Sequence, residues 1–120
     1  MITLKSHGFK FSRPEANIVF DVSYFANPWR EKDIREEKDA YTRKQRILEF
    51  IRKQPGAYEF AQDISTVIQR YYELFPGENI IVALCCSAGE YRSPAMVEMV
   101  NLLLSKNVDR IIKHSENSKI

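Results

Sequence analysis

The sequence predicts an α/β fold, in which a small, mostly parallel sheet carries helices on its faces, in a single domain over residues 1–120. Short apolar stretches rich in β-branched residues alternate with longer stretches that have helical apolar spacing. The stretch Asn79–Cys85 is apolar without alternation, which is typical of a strand covered on both faces of a parallel sheet. The length of 120 residues fits one compact domain and leaves little room for a second.

Two strands are expected near the N-terminus. Alternating apolar residues predict a first strand from Ile2 to Phe11, which Pro14 breaks. The β-branched and aromatic run Asn17–Val22 predicts a buried strand that ends near Asp21. The dipeptide Asn27-Pro28 then indicates a loop.

Two helices are expected in the middle of the chain. Good helix formers occupy the region from Asp39 to Lys53, and Pro55-Gly56 stops this helix. From Ala57 to Phe75 the apolar residues follow the i, i+3, i+4 spacing of an amphipathic helix. Pro76-Gly77 ends this second helix.

The last third of the chain predicts a strand, a helix and a strand. The buried strand Asn79–Cys85 should be followed by a helix from about Arg92 to Lys106 and a final strand Val108–Lys113. Ligands of such folds bind beyond the carboxyl ends of the strands. The loop that begins at Cys86 and the Asn27-Pro28 loop should therefore lie at the same edge of the sheet.

Composition excludes several classes of protein. Hydrophobic residues make up 44% and charged residues 28%, as in soluble globular proteins, and the net charge of +2 gives no argument for nucleic acid. The longest apolar stretch, Ile80 to Cys86, is too short to cross a bilayer, and no secretory signal is visible, so we expect no membrane partner and a cytoplasmic location.

The cysteines and histidines predict neither a disulfide nor a metal site. Cys85 and Cys86 are adjacent, so on a strand they point to opposite faces and cannot form an ordinary structural bridge. His7 and His114 have no ligand-like spacing to the cysteines. We therefore expect no metal and no cofactor.

The loop from Cys86 to Ser93 concentrates the chemistry of the chain. The five residues between Cys86 and Arg92 can direct successive backbone N–H groups into one concavity that favours an anion, and Gly89 relaxes the φ restriction there. Arg92 and Ser93 begin a helix whose N-terminus adds partial positive charge, and a guanidinium offers a bidentate fork to phosphate. The loop therefore predicts a binding site for a phosphorylated ligand and a reactive Cys86 thiol.

This loop resembles the signature of cysteine-dependent phosphatases, in which a Cys, five residues, an Arg and a Ser or Thr form the phosphate loop. In such an enzyme Cys86 would be the nucleophile and Arg92 would hold the transition-state oxygens. An acid must protonate the leaving oxygen, and Asp21 and Asp33 are both candidates between which the sequence does not choose. The alternative is a strand-to-helix turn with a small buried Cys and no ligand.

Three separated motifs resemble, in the same order, the C-terminal domain of the RapZ (YvcJ) family. They are His7-Gly-Phe-Lys-Phe, Ile18-Val-Phe-Asp-Val-Ser-Tyr-Phe-Ala-Asn-Pro-Trp and the Cys86 loop. Matching segments run from about Gly8 to Lys113. In that family an N-terminal nucleotide-binding domain precedes this one. The four glycines of the present sequence allow no Walker-type loop, so we expect the C-terminal domain to stand alone.

The resemblance implies a sensor of a sugar phosphate, glucosamine-6-phosphate, with a role in RNA-linked regulation. The residues carried over by position are Cys86, Ser87, Ala88, Gly89, Glu90, Tyr91, Arg92, Ser93, Lys10, Asp21 and Asn27. The sequence departs from the family pattern where a Gly becomes Ala88, the loop His becomes Tyr91 and an Arg becomes Ser23. These departures affect the sugar specificity that the resemblance implies, and they do not affect the expected phosphate contacts.

Three functions stay open at this point. The first is a regulatory domain that binds a phosphorylated small molecule, and the second is a cysteine-dependent phosphatase. The third is an RNA-binding or protein-interaction module, and a protein could combine this function with the first. The chain could also form a homo-oligomer. Two side chains also have alternative roles: Lys10 could reach the phosphate or lie at the surface, and Trp29 could stack on a ligand or cover the loop. We expect binding rather than catalysis.

Overall fold

The computed structural model describes all 120 residues and contains a four-stranded sheet with four α-helices. The elements are β1 (Ile2–Gly8), β2 (Ile18–Asp21), α1 (Lys32–Glu36), α2 (Ala40–Lys53), α3 (Ala57–Leu74), β3 (Ile80–Cys86), α4 (Arg92–Leu103) and β4 (Arg110–Lys113). The strand order is β2-β3-β1-β4, and every neighbouring pair is parallel. The predicted α/β fold is confirmed, with a sheet that is parallel throughout.

Several elements are shorter than the sequence predicts. β1 ends at Gly8 rather than Phe11, because the chain turns there and the Phe11 N–H donates to the Gly8 carbonyl at 3.2 Å. α4 begins at Arg92 as expected but ends at Leu103, and β4 starts only at Arg110. No apolar pattern marks α1, since its five residues are too few to show a helical period.

The strand β3 lies inside the sheet and leads at its end into the Cys86–Ser93 loop. It pairs with β1 on one side and with β2 on the other, and Val82 to Cys85 are fully buried. The absence of alternation in this stretch reflects cover on both faces, as the sequence predicts. Burial of side chains such as Val82 and Leu84 contributes about 1.5 to 3 kcal/mol each, so the end of the strand from which the loop begins is firmly held.

The helix α4 packs against β1, β3, α2 and α3, which fixes the position of its N-terminus. Its residues from Ser93 to Val97 are all buried. None of the helices combines the length and apolar character that crossing a membrane requires. The packing places the first turn of α4 directly beyond the carboxyl ends of β1 and β3.

Candidate functional site

The loop Ser87–Tyr91 lies flat against the end of β1. Gly89 has a φ of +70°, the left-handed conformation that favours glycine. A Cβ added to Gly8 would lie 2.6 Å from the carbonyl carbon of Ala88, and one added to Gly89 would lie 2.9 Å from the backbone nitrogen of Gly8. The two glycines therefore let the backbones of β1 and the loop touch without an intervening side chain.

The backbone N–H groups from Ser87 to Arg92 donate to no acceptor within the protein. Gly89 and Tyr91 are buried residues, whereas Ser87 is exposed. These groups lie in a turn that leads into the N-terminus of α4, where partial positive charge accumulates. A row of free donors at this place is suited to an anion.

The thiol of Cys86 lies beneath this turn and is held by Ser93. Its Sγ is 3.3 Å from Ser93 Oγ and 3.4 Å from the Ser93 backbone nitrogen, and Ser93 Oγ donates in turn to the His7 carbonyl at 3.4 Å. Burial raises the pKa of the neighbouring Cys85 thiol to about 11, with the charges of Asp21 and Cys86 adding to the effect. Cys85 therefore stays protonated at neutral pH, and of the two cysteines only Cys86 is hydrogen-bonded to the first turn of α4, through Ser93.

The guanidinium of Arg92 is anchored to the segment that follows β2. Its Nη1 donates to the carbonyl oxygens of Ser23 and Phe25, the latter at 3.3 Å, while Nε and Nη2 donate to no protein atom. Asp21 positions this segment, because its Oδ1 accepts from the Ser23 N–H at 2.9 Å and from the Ser23 hydroxyl at 2.6 Å. Asp21 thus acts on Arg92 through the Ser23 carbonyl and not by direct contact.

A cavity of about 30 Å³ opens between the loop and the segment after β2. Its lining consists of Asn27, Cys86, Ala88, Glu90, Tyr91 and Arg92. This volume corresponds to about one oxygen-sized group. A larger hollow of about 370 Å³ lies between α3 and the end of α4, but polar surface residues line most of it and it contains none of the expected site residues.

Tyr91, which lines the cavity, is stacked on Trp29. The rings of Trp29 and Tyr91 are stacked, with centroids 5.1 Å apart and planes within 8° of each other. Asn27 Oδ1 accepts the Trp29 N–H at 3.1 Å, which caps the short 3-10 turn Pro28–Arg30 and leaves the Asn27 amide N–H groups free. Burial raises the pKa of the Tyr91 phenol, so this wall of the cavity stays uncharged.

The structure brings most of the expected residues together, with three exceptions. Lys10 donates its backbone N–H to the Ser87 carbonyl at 2.9 Å, but its ammonium lies 5.7 Å from the Phe11 ring centroid. Asp21 is bound to Ser23, as described above. Asp33 is exposed on α1 and lines a different hollow with Arg46 and Lys53.

Three residues at the loop are not among those predicted from the sequence. Gly8 forms the base of the loop, and its position inside the His7-Gly-Phe-Lys-Phe motif is the signal that could have found it. Ser115 and Lys119 contact the loop from the C-terminal segment. No local pattern in that segment marks either residue.

Comparison with known proteins identifies relatives over nearly the whole chain. The sequence model described as the RapZ C-terminal domain matches residues 1–118. A protein of Dichelobacter nodosus named nucleotide-binding protein is 30% identical over an alignment 125 residues long. The alignment covers 99% of this chain and 43% of the relative. A relative with the same name from Pseudomonas fluorescens strain SBW25 is 28% identical, and the match covers 96% of this chain and 41% of the relative. Another from Thermosipho africanus is 24% identical, and the match covers 97% of this chain and 42% of the relative. The chain spans about two fifths of the length of these relatives.

Proposed function

Because this chain belongs to the RapZ C-terminal domain family, we propose that it binds a phosphorylated small molecule, a sugar phosphate or a nucleotide-like compound, in the Cys86–Ser93 loop. The observation that carries the proposal is the row of backbone N–H groups from Ser87 to Arg92 that have no acceptor in the protein. A phosphate group supplies several strong acceptors at one point, which matches a row of several neighbouring donors. The name of the relatives, nucleotide-binding protein, agrees with a phosphorylated ligand.

The binding mode follows from the donors around the cavity. The phosphate oxygens accept from the loop amides and from Nε and Nη2 of Arg92, the two guanidinium positions without a protein partner. The N-terminus of α4 adds favourable charge. The remainder of the ligand extends past the free amide of Asn27, which lines the cavity, toward the partly exposed Trp29.

A cysteine-dependent phosphatase is the second candidate, and one observation favours it. The Ser93 N–H points at Cys86 Sγ, as a nucleophilic thiolate requires, and Arg92 lines the same cavity. This hypothesis lacks a free proton donor for the leaving oxygen. Asp21 is bound to Ser23, and Glu90, the one carboxylate that lines the cavity, pairs with Lys119 at 3.4 Å. We therefore place binding before catalysis.

We extend the proposal to a regulatory role, in which the ligand-bound domain controls an interaction with RNA, with a regulatory protein or with a second copy of the chain. Family membership supports this extension, as does the greater length of the relatives, in which the matched region is joined to further polypeptide. RNA retention in gel shifts, with and without the ligand that the titrations below identify, tests it. Equal retention in both would argue against ligand control.

Titration with phosphates should perturb the loop selectively. We expect inorganic phosphate, and more strongly a matching sugar phosphate or nucleotide from a panel, to shift the backbone amide resonances of Ser87 to Arg92 in ¹H–¹⁵N spectra. The free N–H groups of this segment are the physical reason. Equal concentrations of chloride provide the control. Shifts spread over the surface, or absent from the loop, would contradict the proposal.

Turnover of a generic aryl phosphate should be absent or no faster than that of Cys86→Ser. The expected reason is that no free carboxylic acid faces the cavity to protonate the leaving oxygen. Release of the aryl alcohol, followed by absorbance for both proteins, is the measurement. Rapid release that disappears in Cys86→Ser would reverse the order of the two candidate functions.

A further inference from the structure

The C-terminal strap, residues 114–120, lies against the outer side of the loop. The Lys119 N–H donates to the Glu90 carbonyl at 3.0 Å, and Lys119 Nζ lies 3.4 Å from the Glu90 carboxylate. Ser115 Oγ lies 2.9 Å from the point where a Cβ on Gly89 would stand. The strap therefore contacts two consecutive residues of the loop: the Ser115 hydroxyl lies against Gly89, and the backbone and ammonium of Lys119 bind Glu90.

The beginning of the strap is tied to the elements that carry the site. The Ser115 N–H donates to the buried Ser6 Oγ on β1 at 2.9 Å. The His114 ring bridges Ser6 Oγ and Glu98 Oε1, at 3.3 Å each, and Glu98 on α4 also holds Lys44 of α2 at 3.4 Å. The strap thus starts from a fixed point between β1 and α4.

The far end of the strap is also held. Ser115 organises a turn, because its Oγ accepts from the Asn117 N–H at 3.1 Å and its carbonyl accepts from the Ser118 N–H at 2.9 Å. The last residue, Ile120, packs against the hydrophobic core. Fixed at both ends, the strap presents the Lys119 N–H to Glu90 at a defined place.

We infer that the strap is a positioning element for the anion-binding loop, an inference that rests on the proposed function. The Glu90 carbonyl and the Tyr91 N–H belong to one planar trans peptide unit and point in opposite directions. Holding the carbonyl outward on Lys119 therefore turns the Tyr91 N–H toward the cavity. The Lys119 ammonium also neutralises the Glu90 carboxylate, which would otherwise repel a phosphate at this site.

Two substitutions of one residue separate the backbone contact from the charge. Lys119→Pro removes the N–H that the Glu90 carbonyl accepts, whereas Lys119→Ala keeps it and removes only the ammonium. We expect Lys119→Pro to bind inorganic phosphate about five- to tenfold more weakly than wild type, the equivalent of about one net hydrogen bond. Lys119→Ala should weaken binding by about twofold, since the ion pair is partly exposed to solvent. Glu116→Ala, an exposed strap residue without a side-chain bond, should match wild type.

Loop order provides a second readout that needs no ligand. The ¹⁵N order parameters of Gly89 to Tyr91 should be near the rigid value of about 0.85 in wild type and fall toward about 0.6 in Lys119→Pro, while the melting temperature changes little. Should Lys119→Pro fail to fold, Ser115→Ala takes its place, because it removes the hydroxyl that contacts Gly89 and leaves the Ser115 N–H on Ser6. Ser115→Ala should also lower the order parameters of Gly89 to Tyr91.

The outcomes separate the inference from the proposed function. Wild-type phosphate affinity together with unchanged order parameters in the strap variants would overturn the positioning role and leave the proposed function standing. If wild type itself binds no phosphate, the proposed function fails, and the order parameters alone then decide. A loop that becomes mobile supports the positioning role, and a loop that stays rigid overturns it.

Discussion

Gly8→Ala should abolish measurable phosphate binding at the loop and lower the free energy of unfolding by about 1 to 3 kcal/mol, the usual cost of overpacking. The added Cβ would lie 2.6 Å and 2.7 Å from the carbonyl carbon and oxygen of Ala88, and 2.9 Å from the backbone nitrogen of Gly89. All three are backbone atoms, so no change of side-chain rotamer relieves the contact. The loop must move away from β1, which displaces the backbone N–H groups that the proposed phosphate site uses. Calorimetric titration with phosphate and thermal unfolding check the two effects.

Gly56→Ala is the matched control for this substitution. Gly56 has a φ of +80°, and a Cβ there meets no atom within 4 Å. The variant should lose about 1 to 2 kcal/mol from left-handed backbone strain and retain wild-type phosphate affinity. Gly8, by contrast, does not have a positive φ, so any effect of its substitution comes from the contact with the loop. Wild-type phosphate affinity in Gly8→Ala would show that binding at the loop does not depend on the close contact between the loop and β1.

The fold could be predicted from the sequence where the signal is local. The burial of β3 on both faces appears as an unbroken apolar run, and the buried residues of α3 appear as a helical period. The strand order could not be predicted, because a parallel pair such as β1 and β3 depends on contacts between distant parts of the chain. The short helix α1 lacks the length at which periodicity becomes visible.

The same distinction applies to the site. The segment Cys86–Ser93 could be recognised because its functional groups are contiguous in the sequence and because a strand precedes it and a helix follows. The contact between Gly8 and the loop depends on the register that places Gly8 opposite Cys86, and the motif around Gly8 does not encode that register. The same is true of Lys119, whose contact with Glu90 follows from the path of the chain after β4. Long-range geometry therefore adds Gly8 and Lys119 to a candidate site of which the sequence predicts the Cys86–Ser93 loop and Asn27.

Arg92→Ala should weaken binding of inorganic phosphate or a phosphorylated ligand by about 2 to 3 kcal/mol, roughly 30- to 150-fold, the range for hydrogen bonds to a charged group. The substitution removes the free Nε and Nη2 donors and the positive charge from the lining of the cavity. It also releases the carbonyls of Ser23 and Phe25, so a modest loss of stability should accompany the loss of affinity. Calorimetric titration at constant ionic strength measures the affinity, and Arg70→Ala, an exposed arginine of α3, controls for net charge.

Arg92→Lys separates the charge of the guanidinium from its geometry. An ammonium keeps the positive charge but cannot hold a backbone carbonyl with one nitrogen while offering two further nitrogens to a phosphate, so it should recover only part of the lost affinity. Unchanged affinity in Arg92→Ala would contradict a role for this residue in anion binding. Complete recovery in Arg92→Lys would show that the loop needs only a charge near the N-terminus of α4. The anchor on Ser23 and Phe25 would then serve the stability of the domain and not the recognition of phosphate.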